Sequence, residues 1–241
     1  MATLLQKSPL SSTILDFAEA VRADATNAFT AFRDTGTITA NGTVGFIERV
    51  PGEDILVSVN YPGPFRREAP VEAAIFGLDG TIYQGKGAGA GRYARVFSTH
   101  ADITSLSHVH SPNLAAWAQT HQPLTISYVP VQRFHLARVL PVYIDRRQEE
   151  QDFIVEKLAE NKYTPAIIEA NGGATVWGWK GLRDLAEFIL LLEEGAGIQI
   201  RAAAIGGPQT FGPGVLRQQW KMSNRYEEAK AAGLLPVTDI Y

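Results

Sequence analysis

The sequence predicts an α/β domain in three layers, αβα, with a mainly antiparallel central sheet. Three observations carry that expectation. Short β-rich runs joined by turn signals fill residues 38–85, and long amphipathic helical patterns stand towards both ends of the chain. Strands connected by hairpins in this way need helices over both faces of their sheet. No linker, repeat or low-complexity stretch interrupts the text, so residues 1–241 are expected to form a single domain.

Ser11–Asp34 reads as the first helix. Ile14, Phe17, Ala18, Val21, Ala25, Phe29 and Phe32 recur near a 3.6-residue period, Ser11 or Ser12 can cap the start, and Gly36 can stop it in a left-handed conformation. Gly45–Val50 and Ile55–Asn60 flank Pro51-Gly52-Glu53-Asp54 as one hairpin, and Ala73–Phe76 and Thr81–Tyr83 flank Leu78-Asp79-Gly80 as another. Beyond the glycine-rich Lys86–Gly91 the reading is a helix at Arg92–Thr99, a strand at Ile103–Val109, a helix at Ser111–Thr120, strands at Leu124–Val129 and Val139–Ile144, and a charged helix at Gln148–Asn161. Ala166–Ala170 and Ala174–Trp177 are strands about the sharp turn Asn171-Gly172-Gly173. A long helix from about Gly181 to Ala204 and a helical tail around Gln218–Ala231 complete the chain.

Composition narrows the function. The 241 residues hold no cysteine, 22 Lys+Arg against 25 Asp+Glu, and 45% hydrophobic residues. Without cysteine there is no disulfide scaffold, thiolate zinc site or Cys nucleophile. A net charge of −3 offers no cationic excess for nucleic acid or an acidic membrane surface. No apolar run approaches a bilayer span, and the N-terminus lacks a charged segment followed by an apolar stretch, so a cytoplasmic protein without a signal peptide is expected.

The sharpest chemical signal is His108-Val109-His110-Ser111-Pro112 at the end of a predicted strand. Residues two apart on a strand share a face, so both imidazoles can converge on one divalent metal. Two partly exposed polar residues on a strand edge would give the same pattern. Three of the five histidines, at 100, 108, 110, 121 and 135, fall within eleven residues.

These residues carry a resemblance. Asp102–Pro123, with His-x-His-Ser-Pro at a strand end before an Ala-rich helix, resembles the central segment of the class II aldolase/adducin family, and Ala166–Gly178 resembles its second signature. The resemblance, from about residue 12 to 226, implies that family's fold, a divalent ion such as zinc or manganese held by three histidines, a glutamate that shuttles the proton, and lyase, epimerase, dehydratase or decarboxylase chemistry on small molecules. It also implies a homo-oligomer, a tetramer, with C-terminal residues reaching a neighbouring site; the adducin branch is non-enzymatic. His108 and His110 match the metal pair. The third histidine's place in the Asn-His-Gly turn is Gly172, and the glutamate's place, counted back without gaps from the pair, is Gly89.

Three readings of those gaps stand. Another residue completes a metal site with His108 and His110: His135 first, His100 or His121 otherwise, or a carboxylate from Glu169 or Asp102. Alternatively, the site has lost its metal and His108 or His110 works as a general acid/base beside an organic substrate, with Tyr83, Tyr93, Trp117, Trp177 and Trp179 near in sequence. Or the chain is a non-catalytic binding or assembly module. The first reading makes the protein a lyase that breaks a C–C bond, by decarboxylation or retro-aldol cleavage, in a small oxygenated or carboxylated compound. Asn171, Lys86, Arg225 and Trp220 are the expected substrate contacts. Lys86 and Arg92 flank a turn whose amides can cradle an anion, and the Arg225 guanidinium matches a carboxylate. Core packing for the aromatic residues and a solvated helix face for Arg225 are the plain alternatives.

Overall fold

The structure is a computed structural model that describes residues 10–66, 68–86 and 91–239. The N-terminal stretch read for a signal peptide, and Gly89 with most of its glycine-rich turn, lie outside them.

Helix α1 (Ser12–Asp34) starts where Ser11 Oγ accepts the Ile14 amide at 3.3 Å, and Gly36 follows its end at φ +72°. The first hairpin is β1 (Val44–Arg49) with β2 (Ile55–Asn60), and the second is β3 (Ala73–Gly77) with β4 (Ile82–Gln84). The main sheet continues with β5 (Ser105–Val109), β8 (Val142–Tyr143), β9 (Ala166–Glu169) and β10 (Ala174–Gly178). Its order is β4-β3-β2-β1-β5-β10-β9-β8, and only the β8–β9 pairing is parallel.

Side-chain alternation sorts the two faces. Against one face, α1, α3 (Pro112–Ala118) and α6 (Leu182–Ala202) bury Phe29, Phe32, Leu114 and Ile189 on Phe46, Val57 and Val176. Against the other, α2 (Ala94–Thr99) and α5 (Glu150–Glu160) bury Phe97 and Ile154 on Leu56, Leu106 and Trp177. The three expected layers are therefore present. Leu106 and His108, two residues apart on β5, face the α2/α5 layer.

Three expected elements differ, each at a residue that breaks a repeat. Only Leu124–Thr125 (β6) of the strand read to Val129 is extended, and Val129–Phe134 forms the short helix α4, with Pro130 in its first turn, where a missing N–H costs nothing. The strand read as Val139–Ile144 divides at Pro141: Val139–Leu140 (β7) pairs with β6 in a separate two-stranded sheet, while β8 joins the main one. The tail helix divides at Asn224, φ +58°, into α7 (Val215–Met222) and α8 (Tyr226–Ala231). Around α7 and α8 a small third cluster forms from Leu136, Leu216, Trp220 and Ala229.

Two carboxylates staple helix starts to the sheet. Glu193 of α6 is buried and accepts the Asn113 and Leu114 amides at 2.7 and 2.9 Å, which caps α3 directly after the histidine motif. Glu48 of β1 accepts the Leu182 amide at 3.1 Å at the start of α6. Burial pushes the Glu48 carboxyl up to about 7, against the lowering effect of that hydrogen bond and with some help from Asp24. An acid that holds its proton more tightly when folded destabilises the fold as pH rises from its unfolded value to its folded one, and the loss is complete above the folded value. The Glu48→Gln variant removes this contribution. Its unfolding free energy is expected to gain on the wild type by about 3 kcal/mol between pH 4.5 and 7 and to stay level above that. Chemical denaturation of both proteins across pH 4–8 checks it; a difference that does not vary with pH refutes it.

Candidate active site

Two imidazoles and a carboxylate converge at the C-terminal end of β5. His108 Nε2 lies 3.0 Å from His110 Nε2 and 3.5 Å from Glu169 Oε2, and His110 Nε2 lies 3.8 Å from the same oxygen. Among the described residues these three form a group with ligand atoms all within 4.8 Å of one another. Strand register brings them together. Thr175 of β10 stands opposite both His108 of β5 and Ile167 of β9, so Glu169, two residues beyond Ile167, shares their face.

The glycines of the β9–β10 turn explain the carboxylate. A Cβ on Gly172 would stand 2.6 Å from Glu169 Oε2, so the Glu169 side chain occupies the space a larger residue at 172 would need. A Cβ on Gly173 would stand 2.1 Å from the Val109 carbonyl oxygen and 3.0 Å from His110 Cδ2; glycine there lets the turn lie directly on the end of β5.

Hydrogen bonds orient both rings. Glu150, the first residue of α5 and buried, accepts from the Thr175 hydroxyl, from Tyr93 Oη at 3.1 Å and from Arg92 at 2.5 Å. With its proton given to Glu150, Thr175 Oγ1 must accept at 2.9 Å from His108 Nδ1–H, which leaves the His108 Nε2 lone pair facing the group. On the other side, Asn41 Oδ1 accepts from the Thr43 amide at 3.0 Å, so its nitrogen donates to His110 Nδ1 at 3.2 Å. The His110 proton therefore sits on Nε2, directed at His108 and Glu169; for that nitrogen to hold a cation the proton would move to Nδ1, with the Asn41 amide turned to accept it.

The charges are balanced. Arg146 donates to Glu169 Oε1 and, at 3.0 Å, to the Ala170 carbonyl; Arg92 stands 3.6 Å from the same carboxylate oxygen. Burial opposes ionisation of Glu169, but the His110 N–H turned towards it and the charges of His108 and Arg146 outweigh it and hold its pKa down to about 2. Burial lowers the His108 pKa despite Glu169 and Glu150, and the same desolvation, with Glu150, raises that of the Tyr93 phenol. The cluster thus brings Glu169 and Glu150 together with Arg92 and Arg146 around an imidazole, His108, that burial keeps neutral at pH 7.

A cavity of about 320 Å³ opens beside His108, lined also by Thr43, Asn60, Tyr61, Arg92 and Tyr93. It borders a second cavity of about 370 Å³, with which it shares Ser58, Asn60 and Tyr61 and which Lys86 lines.

The other expected site residues stand elsewhere. His135 ends α4, buried with its ring centroid 3.8 Å from that of Phe188, and burial together with Arg225 and Lys180 pushes its pKa down to about 3. The carboxylate of Glu169, not His135, completes the group with the histidine pair. Asn171, φ +60°, binds the end of α3: its oxygen meets His121 Nε2 at 2.7 Å and its nitrogen donates to Gln119 at 3.1 Å. Trp220 is fully buried and its indole donates to the Gln132 carbonyl at 2.9 Å, which makes it a packing anchor for the tail rather than a substrate contact. Arg225 faces Glu228 at 3.4 Å. Sequence reasoning missed Glu150, Thr175 and Arg146, whose roles depend on register and on the placement of α5. Only Glu169, two residues before the turn that lacks its histidine, had a local signal.

Comparison with known proteins agrees with this architecture. The chain is 15% identical to an L-fuculose 1-phosphate aldolase over 91% of its length and all of that chain, with a TM-score of 0.69. An L-fuculose 1-phosphate aldolase from Glaciozyma antarctica PI12 gives 17% identity and a TM-score of 0.69, covering 93% of this chain and 91% of that one. An aldolase II superfamily protein from Pseudomonas syringae gives 18% and 0.64, covering 93% and 94%. These identities establish a shared fold. No curated protein sequence matches significantly. The model of the class II aldolase and adducin N-terminal domain matches residues 25–200, and the chain therefore belongs to the class II aldolase and adducin family.

Proposed function

We propose that the protein is a metal-assisted lyase that cleaves a C–C bond, by decarboxylation or retro-aldol cleavage, in a small carboxylated compound. The observation that carries the reading is the placement of the Glu169 carboxylate in the space Gly172 leaves open, facing both imidazoles. The donor set fits a divalent ion. Two ligand atoms about 2.1 Å from a tetrahedral ion lie about 3.4 Å apart, and the separations here are 3.0, 3.5 and 3.8 Å. Two imidazoles and a carboxylate are a harder set than three imidazoles and suit manganese as well as zinc.

A bound ion supplies Lewis-acid stabilisation of the negative charge that develops on a substrate oxygen as the bond breaks. The rest belongs to the chain. Glu150 and Thr175 hold the His108 tautomer, Arg146 holds Glu169 in place, and Arg92 at the cavity wall orients a substrate carboxylate. Because the two arginines already balance the two carboxylates, a divalent ion leaves the site with an excess of positive charge, and an anionic substrate is what neutralises it. Assembly into a homo-oligomer is proposed from the family resemblance.

The same charge balance favours one second reading, in which the cluster stands complete without metal and a histidine of the pair serves as general base. Metal analysis separates the two. The wild type is expected to carry near-stoichiometric divalent ion, and the His108→Ala/His110→Ala protein to carry none. Gly172→Ala is the sharper probe. Its backbone tolerates an L-residue, but the new methyl group displaces Glu169, so metal affinity is expected to fall about 10–100-fold while the thermal transition is retained. Wild-type protein that takes up no metal on titration overturns the lyase reading; unchanged affinity in Gly172→Ala removes Glu169 from the ligand set.

The activity test is release of CO₂ or an aldehyde from a panel of hydroxy-aromatic, 3-oxo and hydroxy acids by the metal-loaded protein. Arg92→Gln is expected to raise KM for a carboxylated substrate about tenfold or more, the size of a lost charge-assisted hydrogen bond, and to leave KM for an uncharged analogue unchanged. Equal effects on both would show that Arg92 acts only through Glu150.

A further inference from the structure

A cavity of about 270 Å³ lies at the opposite end of the middle strands, where Asp102 precedes β5 and Trp179 follows β10. Four residues of extended chain separate Trp179 from Thr175, about 13 Å along the strand, so this cavity is separate from the one beside His108.

His135 lines it. Only 8% of the residue is exposed, and its contacts are with ring faces, Phe188 at 3.8 Å and Trp179 at 6.4 Å between centroids. Among the described residues neither ring nitrogen has a hydrogen-bond partner. A neutral imidazole offers one donor and one acceptor, and here they open onto the cavity, where a ligand or water can meet them.

The charges around the opening are unevenly satisfied. Asp102 is engaged by the Trp179 indole N–H at 2.9 Å. Lys162 has no carboxylate partner among the described residues and rests on the Tyr163 ring at 5.0 Å. Arg225 meets Glu228 only at 3.4 Å, and Lys180 is close enough to act on His135. The lining sets two cations, Lys162 and Arg225, against two carboxylates, Asp102 and Glu228, and Lys180 nearby tips the surroundings to one positive charge; the walls are flat: the Trp179 indole and the Tyr163 phenol. The volume is at the lower end of the small-molecule range.

We propose that this cavity is a second small-molecule site, for a flat aromatic carboxylate whose acid group lies between Arg225 and Lys162 and whose ring hydroxyl meets the unpartnered His135 imidazole. A carboxylate matches the guanidinium and ammonium donors, and an aromatic ring matches the indole and phenol faces. The site stands on its own observations and is independent of any reaction at His108.

The test uses the whole protein with 4-hydroxybenzoate as probe, followed by imidazole ¹⁵N–¹H correlation spectra. Saturable shifts of the His135 signals are expected at millimolar probe or below, with the same midpoint in the His108→Ala/His110→Ala protein, which keeps this cavity. Arg225→Gln with Lys162→Gln is expected to weaken binding at least tenfold. Both side chains reach the surface, and an unchanged thermal transition confirms that the fold is kept. 4-Hydroxybenzyl alcohol, which lacks the acid group, is expected to shift His135 at least tenfold less readily. Shifts confined to His108 and His110, no response at His135, or an equal response to inorganic phosphate would each overturn the proposal.

Discussion

The candidate site depends on one side-chain placement, the Glu169 carboxylate folded back under its own turn. That placement has two requirements. Gly172 must lack a Cβ, because one would stand 2.6 Å from Oε2, and a cation must meet the other oxygen, which Arg146 does. A carboxylate buried without such partners would take up a proton instead. With them it stays ionised and presents one oxygen to two imidazoles. The turn glycine and the arginine therefore work as one device, although 26 residues and a helix separate them in the chain.

The imidazoles are held with equal care, from opposite sides and by different parts of the fold. His108 is tied through Thr175 of β10 to Glu150 at the start of α5, a chain that crosses from the sheet into the helical layer. Glu150 sits at the first turn of α5, and Arg92 and Tyr93 supply its remaining hydrogen bonds. His110 is tied to the loop before β1, where its amide and carbonyl also bond, to Thr43 and Thr39. The result is a pair of rings, 4.9 Å between centroids, whose facing nitrogens play different parts: one a lone pair, the other an N–H.

Much of the architecture was legible because periodicity and turn chemistry are local. The α1 face, both hairpins, the strand ending in Val109 and the Asn171 turn follow from residues within a few positions of one another. The errors fall where proline or a left-handed residue decides the outcome: Pro141 hands one extended run to two sheets, and Asn224 breaks a helix whose apolar pattern continues through it. The site was legible only in part for a related reason. His108 and His110 carry a spacing; Glu150, Thr175 and Arg146 carry none, and they reach the histidines through cross-strand register and helix docking. His135 illustrates the converse. It follows a predicted strand, as a returning ligand would, but α4 directs it into a pocket of aromatic rings.

The lost family residue and the chain's own chemistry are best understood together. Where the family resemblance places a turn imidazole this chain has Gly172, and the carboxylate that fills the space brings a negative charge with an arginine attached to it. The local charge is therefore unchanged while the character of the donor set shifts from nitrogen towards oxygen. Arg92 repeats the arrangement at Glu150, so every carboxylate near the pair is already matched by a guanidinium. A site of this kind would hold a cation through its three ligand atoms rather than through net charge, and would hold it more tightly together with an anion. Substrate and ion would then strengthen each other's binding, and the wall that carries Arg92 into the cavity beside His108 is where the two charges meet.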